Sequence, residues 1–198
     1  KVTKDVIDAG SNLKVIGRGG VGLDNIDVAY AKAKGLTVLN TPGAASVSVA
    51  ELAIAHMFAV CRFIGQSNVA MRKGEWPKKE YSKGIELTGK TLGLFGLGNI
   101  GRETAKRALG LGMSVIAFDP VITSTDLDVT LVSKDDVLAQ SDFISLHIPF
   151  IKTEGPTIGA AEFAKVKKGV VLINCARGGV VDEAALLEAL NNGTVRAA

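Results

Sequence analysis

Residues 91–96, Thr-Leu-Gly-Leu-Phe-Gly, form an apolar run that passes straight into Gly96-Leu-Gly98-Asn-Ile-Gly101 and then into a helix pattern over 100–111. A nearly unbroken apolar run predicts a parallel strand covered on both faces. Where such a strand meets a helix across G-x-G-x-x-G, each glycine has a physical task. Gly96 permits the tight turn, Gly98 lets a pyrophosphate approach backbone N–H groups, and Gly101 lets the helix pack closely on the sheet. The positive end of the helix then faces the phosphates. The plainer alternative is that the glycines only make a tight strand-to-helix turn. Asp119 lies eighteen positions after Gly101, at the end of a second strand over 114–119. Its carboxylate is placed to accept from the adenosine ribose hydroxyls. A phosphate on that ribose, ~4 Å from the carboxylate, would be repelled by several kcal/mol, so NAD is expected over NADP. Alternatively, Asp119 caps a turn before Pro120.

The alternation continues downstream. Strands are predicted over 129–132, 143–147 and 169–174, and helices over 133–140, 160–166 and 182–191. Ser133 and Asp136 resemble a capping box, Asp182 is a candidate N-cap, and Gly193 a candidate helix stop. This order implies an α/β fold: a mostly parallel sheet with helices on both faces. Upstream, a strand over 13–17, a helix over 27–34 and a strand over 36–39 lead to the turn Asn40-Thr-Pro-Gly43. Such a βαβ piece is too small to stand alone and reads as the remnant of a second domain. A long, mainly apolar helix is predicted over 46–62, with Ala50, Ile54, Met57, Phe58 and Cys61 at helical spacing. Its apolar width predicts burial on more than one side, including against another subunit.

The remaining features mostly exclude. A length of 198 residues allows one domain and part of another. The net charge of +3 is spread over scattered basic residues and gives no nucleic-acid tract. Cys61 and Cys175 lie far apart without C-x-x-C spacing, which argues against a disulfide framework or a metal site and for a reducing, cytoplasmic setting. The most apolar stretch, 47–61, is interrupted by Glu51 and His56, and no signal-peptide pattern opens the chain. No membrane partner is expected. The first residue is Lys1, and residues 194–198 read as a strand just beginning, so a fragment is expected. Gly84-Ile-Glu-Leu-Thr-Gly89-Lys90-Thr91 matches the P-loop expression letter for letter. It lacks the strand before and the helix after that a P-loop needs, and Glu86 would set an anion among the phosphates.

Arg177 follows the strand over 169–174, at the strand end where open α/β sheets bind ligands. A guanidinium there can grip a carboxylate with two parallel hydrogen bonds and polarise a neighbouring carbonyl. An ion pair with Asp182 or Glu183 is the structural alternative. His56, mid-helix among apolar residues, reads as a packed or interface residue, while His147 beside Ile148-Pro149 is expected to line the cleft rather than transfer protons.

Together the motifs resemble the D-isomer-specific 2-hydroxyacid dehydrogenases. The matching stretches are Gly17-Arg-Gly-Gly-Val-Gly22-Leu-Asp-Asn25, Asn40-Thr-Pro42, Val49-Ala-Glu51, Glu86-Leu-Thr-Gly-Lys-Thr91, Gly96 to Gly101, Phe118-Asp-Pro120, His147-Ile-Pro149 and Asn174-Cys-Ala-Arg-Gly-Gly-Val-Val-Asp-Glu183. The resemblance implies a Rossmann-type doubly wound parallel sheet over 43–198, incomplete at its C-terminal end, and a partial flavodoxin-like substrate domain over 1–42. It implies a homodimer formed through the nucleotide-binding domain, with NAD as cofactor and a small 2-hydroxyacid or 2-oxoacid as substrate. The expected substrate is 3-phosphoglycerate, used in serine biosynthesis, with glyoxylate or hydroxypyruvate reduction as the alternative. A non-enzymatic, NAD-sensing corepressor is the rival from another class. By the same resemblance Asn99 and Ile100 contact the phosphates, and His147, Ile148, Pro149, Cys175 and Ala176 line the cofactor cleft. Arg177 becomes the catalytic arginine, and Gly20, Val21 and Gly22 offer amides to the substrate carboxylate. The family's catalytic Glu and its paired His are expected after the strand that begins at Val195.

Overall fold

Ile7, Ile16, Ile26 and Ala31 form the small core of Lys1–Val47, the first of two units into which the chain divides; the second is Ser48–Ala198. The computed structural model describes residues 1–198. In the first unit, α1 (Lys4–Ala9), β1 (Val15–Arg18), α2 (Val28–Ala33) and β2 (Thr37–Asn40) follow in order. β1 and β2 pair in parallel, from Val15 opposite Thr37 to Arg18 opposite Asn40. The Asp27 carboxylate accepts from the Tyr30 amide at 3.0 Å and caps α2, where the sequence predicts the helix to begin.

α3 (Ser46–Cys61) opens at the end of that unit. It is followed by α4 (Ile64–Arg72), α5 (Lys78–Tyr81), β3 (Thr91–Phe95), α6 (Asn99–Gly110), β4 (Ser114–Phe118) and β5 (Thr130–Leu131). Then come α7 (Lys134–Gln140), β6 (Phe143–Leu146), α8 (Ala160–Phe163), β7 (Val170–Asn174), α9 (Glu183–Asn191) and β8 (Val195–Ala197). The six strands β3 to β8 form one sheet in the order β5-β4-β3-β6-β7-β8, with every pair parallel. Counted within the sheet, that is 3-2-1-4-5-6, the Rossmann order, and the direction of winding reverses between β3 and β6.

The apolar runs are continuous because both faces of the sheet are covered. Leu92, Leu94, Phe143, Val171 and Ile173 pack on one side with Ala53, Ile54 and Met57 of α3. Their strand neighbours Phe95, Ile144, Leu146, Val170 and Leu172 pack on the other with Val137 and Leu138 of α7. α7 lies so close to β3 that a Cβ on Gly93 would overlap Ser141 Oγ.

Several expectations change. α8 stops at Phe163 rather than 166, because Lys165 folds back to donate to the Glu162 carbonyl in a turn. The strand predicted over 129–132 keeps only Thr130 and Leu131, the two residues that pair with Ile116 and Ala117. Ser133 accepts from the Asp136 amide as a cap should. The reciprocal half of the box is absent: the Asp136 carboxylate, one methylene shorter than Glu, accepts a hydrogen bond from the Ser133 hydroxyl instead of reaching the Ser133 amide. α3 buries a single stripe within this chain (Ala50, Ala53, Ile54, Met57 and Cys61), and His56 is exposed, not packed. α1, α4 and α5 have no counterpart in the sequence pattern. After Gly89, with φ +73°, the P-loop look-alike runs into β3 and no helix follows. No single helix is long and apolar enough to cross a membrane.

Candidate functional site

Parallel strands carry whatever follows them to the same edge, and here the edge of β4, β3, β6 and β7 gathers four of the predicted segments. Gly96 leaves β3 with φ +91°, and a Cβ on it would come within 2.7 Å of the His147 carbonyl oxygen at the end of β6. A Cβ on Gly101 would overlap the Gly96 carbonyl. These two positions have no room for a side chain. Gly98 differs: nothing lies within 4 Å of where its Cβ would stand. It is the N-cap of α6 and supplies no side-chain cap, and the first turn of α6 carries no acidic residue. The amides of Asn99 and Ile100 therefore open the helix at a surface that backbone alone forms, where the helix dipole favours an anion.

Asp119 follows β4 and closes one side of this turn. Its Oδ2 accepts from the Leu97 amide at 2.8 Å, and its Oδ1 from Val121 and Ile122 at 2.9 and 3.1 Å. Burial by itself would raise this carboxyl, but the three amides outweigh burial and hold it below its ordinary value. Asp119 is thus ionised and fixed, and a carboxylate has lone pairs beyond those three bonds. Both readings from sequence are present in one residue, since the same side chain caps the turn after Phe118 and faces the glycine turn.

His147 continues the ladder by donating its amide to the Phe95 carbonyl at 2.8 Å. Its Nε2 lies 3.0 Å from Ser145 Oγ, and Nδ1 is buried without a hydrogen bond. Burial pushes the imidazole down to about 4. A ring kept neutral in this way supports the turn above it and is not poised to carry protons near neutral pH. Ile148 is half-buried and Pro149 exposed beside it.

After β7, Cys175 and Ala176 are half-buried and Arg177 is exposed. Burial pushes the Cys175 thiol up. Arg177 Nη1 donates to the Ala176 carbonyl at 2.8 Å. Asn174 organises this loop: its Nδ2 donates to the Arg177 carbonyl at 3.0 Å and its Oδ1 accepts from the Ala176 amide at 3.1 Å. Sequence reasoning did not single out Asn174; the available signal was an Asn at a strand end before a turn. Phe150 was missed too, and its ring lies within 3.0 Å of where a Cβ on Gly179 would stand.

Gly20, Val21 and Gly22 belong to the first unit. There the Gly20 amide donates to Thr41 Oγ1 at 2.8 Å, the Gly20 carbonyl accepts from the Thr41 amide at 3.1 Å, and Asn40 Nδ2 donates to the Val21 carbonyl at 2.8 Å.

The strand order, with a bare-backbone turn at the winding reversal and a fixed carboxylate one strand away, defines a dinucleotide-binding Rossmann domain. The residues fit the group: close-packed glycines shape the turn, and the one uncrowded glycine opens it. Comparison narrows the class. The family described as D-isomer specific 2-hydroxyacid dehydrogenase, NAD binding domain, matches residues 54–198, and the chain belongs to it. Over its whole length it is 54% identical to the hydroxypyruvate reductase of Thermotoga maritima, covering 64% of that protein. It is 48% identical to the D-3-phosphoglycerate dehydrogenase of Methanocaldococcus jannaschii, again over the whole chain but covering 38% of that protein. The structure of D-lactate dehydrogenase from Aquifex aeolicus complexed with NAD and lactic acid matches at TM-score 0.86 and 34% identity, covering 98% of this chain and 59% of that one. The chain therefore spans between about two fifths and two thirds of the length of these relatives.

Proposed function

We propose that the chain forms the NAD-binding domain, and part of the substrate domain, of an enzyme that moves a hydride between NAD and C2 of a D-2-hydroxyacid, with 3-phosphoglycerate as the substrate. The observation that carries this is the uncapped start of α6 beside the Asp119 carboxylate, itself tied to the Leu97 amide. When bound, NAD supplies the hydride acceptor. The amides of Asn99 and Ile100 hold the diphosphate over Gly98, and Gly96 and Gly101 keep the backbone close enough to do so. Asp119 accepts from the ribose hydroxyls and repels a ribose phosphate. Ile148, Pro149, Cys175 and Ala176 line the cleft and keep water from it, with neutral His147 beneath. Arg177 orients the substrate carboxylate and polarises the carbonyl at C2. Within the first unit, the Gly20 amide is engaged by Thr41, which leaves the amides of Val21 and Gly22 as the donors this loop can offer a carboxylate.

A second reading, reduction of hydroxypyruvate, is favoured by the 54% identity to the Thermotoga enzyme. Steady-state rates with NAD and a panel of 2-hydroxyacids and 2-oxoacids decide between them: preference for the phosphorylated acid supports the first, preference for hydroxypyruvate the second. Calorimetry checks the cofactor site directly. The 198-residue chain should bind NAD over NADP, and Asp119→Ala should narrow that preference; unchanged selectivity would remove Asp119 from its role. Dimerisation through the Rossmann domain belongs to the same proposal, and sedimentation velocity tests it.

A further inference from the structure

The opposite edge of the large sheet gathers a different set of residues. Lys90 precedes β3, Asp142 precedes β6, Lys167 and Lys168 precede β7, and Arg196 lies within β8. Because all four strands are parallel, these residues meet at one end, where they line a cleft of about 170 Å³. Four cations thus face a single carboxylate, and that carboxylate is engaged. Asp142 accepts from the Thr91 amide at 2.9 Å and from Lys167 Nζ at 3.1 Å. Lys90, Lys168 and Arg196 form no ion pair.

Lys90 is half-buried, and its charge acts on the Asp142 carboxylate without forming an ion pair with it, which leaves its ammonium donors open to a second anion. Buried Phe143, Val170 and Val171 form an apolar wall to the cleft, which concentrates the field of four cations set against one carboxylate. We propose that this cleft binds a small oxyanion of the phosphate class, with the Arg196 guanidinium gripping two oxygens and Lys90 and Lys168 acting as point charges. Asp142 does not compete by titrating. Burial would raise its carboxyl, but the Thr91 amide, the Lys167 hydrogen bond and the nearby Lys167 and Lys90 charges outweigh that and keep it low, so it holds Lys167. The proposal does not rest on the cofactor reading, because the two sites lie at opposite ends of the same strands.

Titrating the ¹⁵N-labelled 198-residue protein with inorganic phosphate, against sodium chloride at equal ionic strength, tests it. Phosphate held by the glycine turn would move the amides of residues 98–100, whereas binding at the cleft moves those of Lys90, Gly169 and Arg196. The expected result is a saturable shift at the second group. Lys168→Met and Arg196→Met, both at exposed positions, should each weaken it about ten-fold while leaving NAD affinity unchanged by calorimetry. A shift that fails to saturate, that chloride reproduces, or that both substitutions leave intact would overturn the assignment.

Discussion

The spacing G-x-G-x-x-G occurs twice in this chain, at Gly17-Arg-Gly19-Gly20-Val-Gly22 and at Gly96-Leu-Gly98-Asn-Ile-Gly101, and the two stretches fold differently. In the first, β1 runs on to Arg18, inside the motif, and the next helix waits until Val28. The loop is held by side chains, Thr41 and Asn40, and Cβ atoms on Gly17 or Gly19 would meet nothing within 4 Å. In the second, the strand ends one residue before the motif and the helix begins within it, so the backbone folds against itself. Gly101 abuts Gly96, and Gly96 abuts His147. The same letters therefore carry a close-packed turn in one place and an open loop in the other. What separates them is the distance from strand end to helix start, which decides whether amides gather at a helix terminus or spread along a loop.

Substitution at the glycines should expose this difference most strongly. Within a helix Gly→Ala ordinarily gains about 1 kcal/mol, yet Gly101→Ala should cost about 3 kcal/mol or more, because the methyl group would run into backbone that cannot step aside. Gly19→Ala should stay within about 0.5 kcal/mol. Urea unfolding of both measures the contrast, and equal effects would erase it. Next in size is a pH effect, since only the second turn rests on an imidazole. His147 titrates near 4 when folded and near 6.5 when unfolded. Between those values the unfolded chain takes up the extra proton, so stability is complete above about 6.5 and falls toward pH 4, by on the order of 3 kcal/mol. In His147→Gln the midpoint of thermal unfolding should depend less steeply on pH across that window; an unchanged slope would mean that the imidazole is not the group responsible.

Asp119→Ala should cost about 1–3 kcal/mol, because it leaves the Leu97, Val121 and Ile122 amides without their acceptor; amide exchange at Leu97 should quicken with it. The smallest structural effect belongs to Gly98→Ala. Its Cβ has open space, so stability should move by no more than about 0.5 kcal/mol. NAD affinity should nonetheless fall about ten-fold, since the methyl group stands where the diphosphate approaches. A variant that is both stable and fully competent in binding would put the diphosphate elsewhere.

Legibility in the sequence followed the range of the forces involved. β3 and β7 were evident because strands covered on both faces need no polar alternation, and α7 and α9 because Ser133 and Asp182 cap their own helices. α4 was not, because Ile64-Gly-Gln-Ser-Asn-Val-Ala-Met-Arg72 has no apolar stripe and starts at Phe63 with φ +55°, a conformation that the identity of the residue does not announce. Asn174 passed unnoticed because its value lies in holding the loop that presents Arg177, which becomes visible only when the strand end and the loop are seen together.

Local order along the chain determined that a glycine turn joins a strand to a helix, that strands and helices alternate, and where an acid follows the second strand. Tertiary structure alone decided that this acid accepts from the Leu97 amide, that His147 is neutral with its Nδ1 closed off beneath the turn, and that four cations converge at the far edge. Turns and caps are settled by neighbours a few residues away, whereas the company a side chain keeps depends on which strands lie side by side. That choice is made by packing the whole sheet between its two layers of helices.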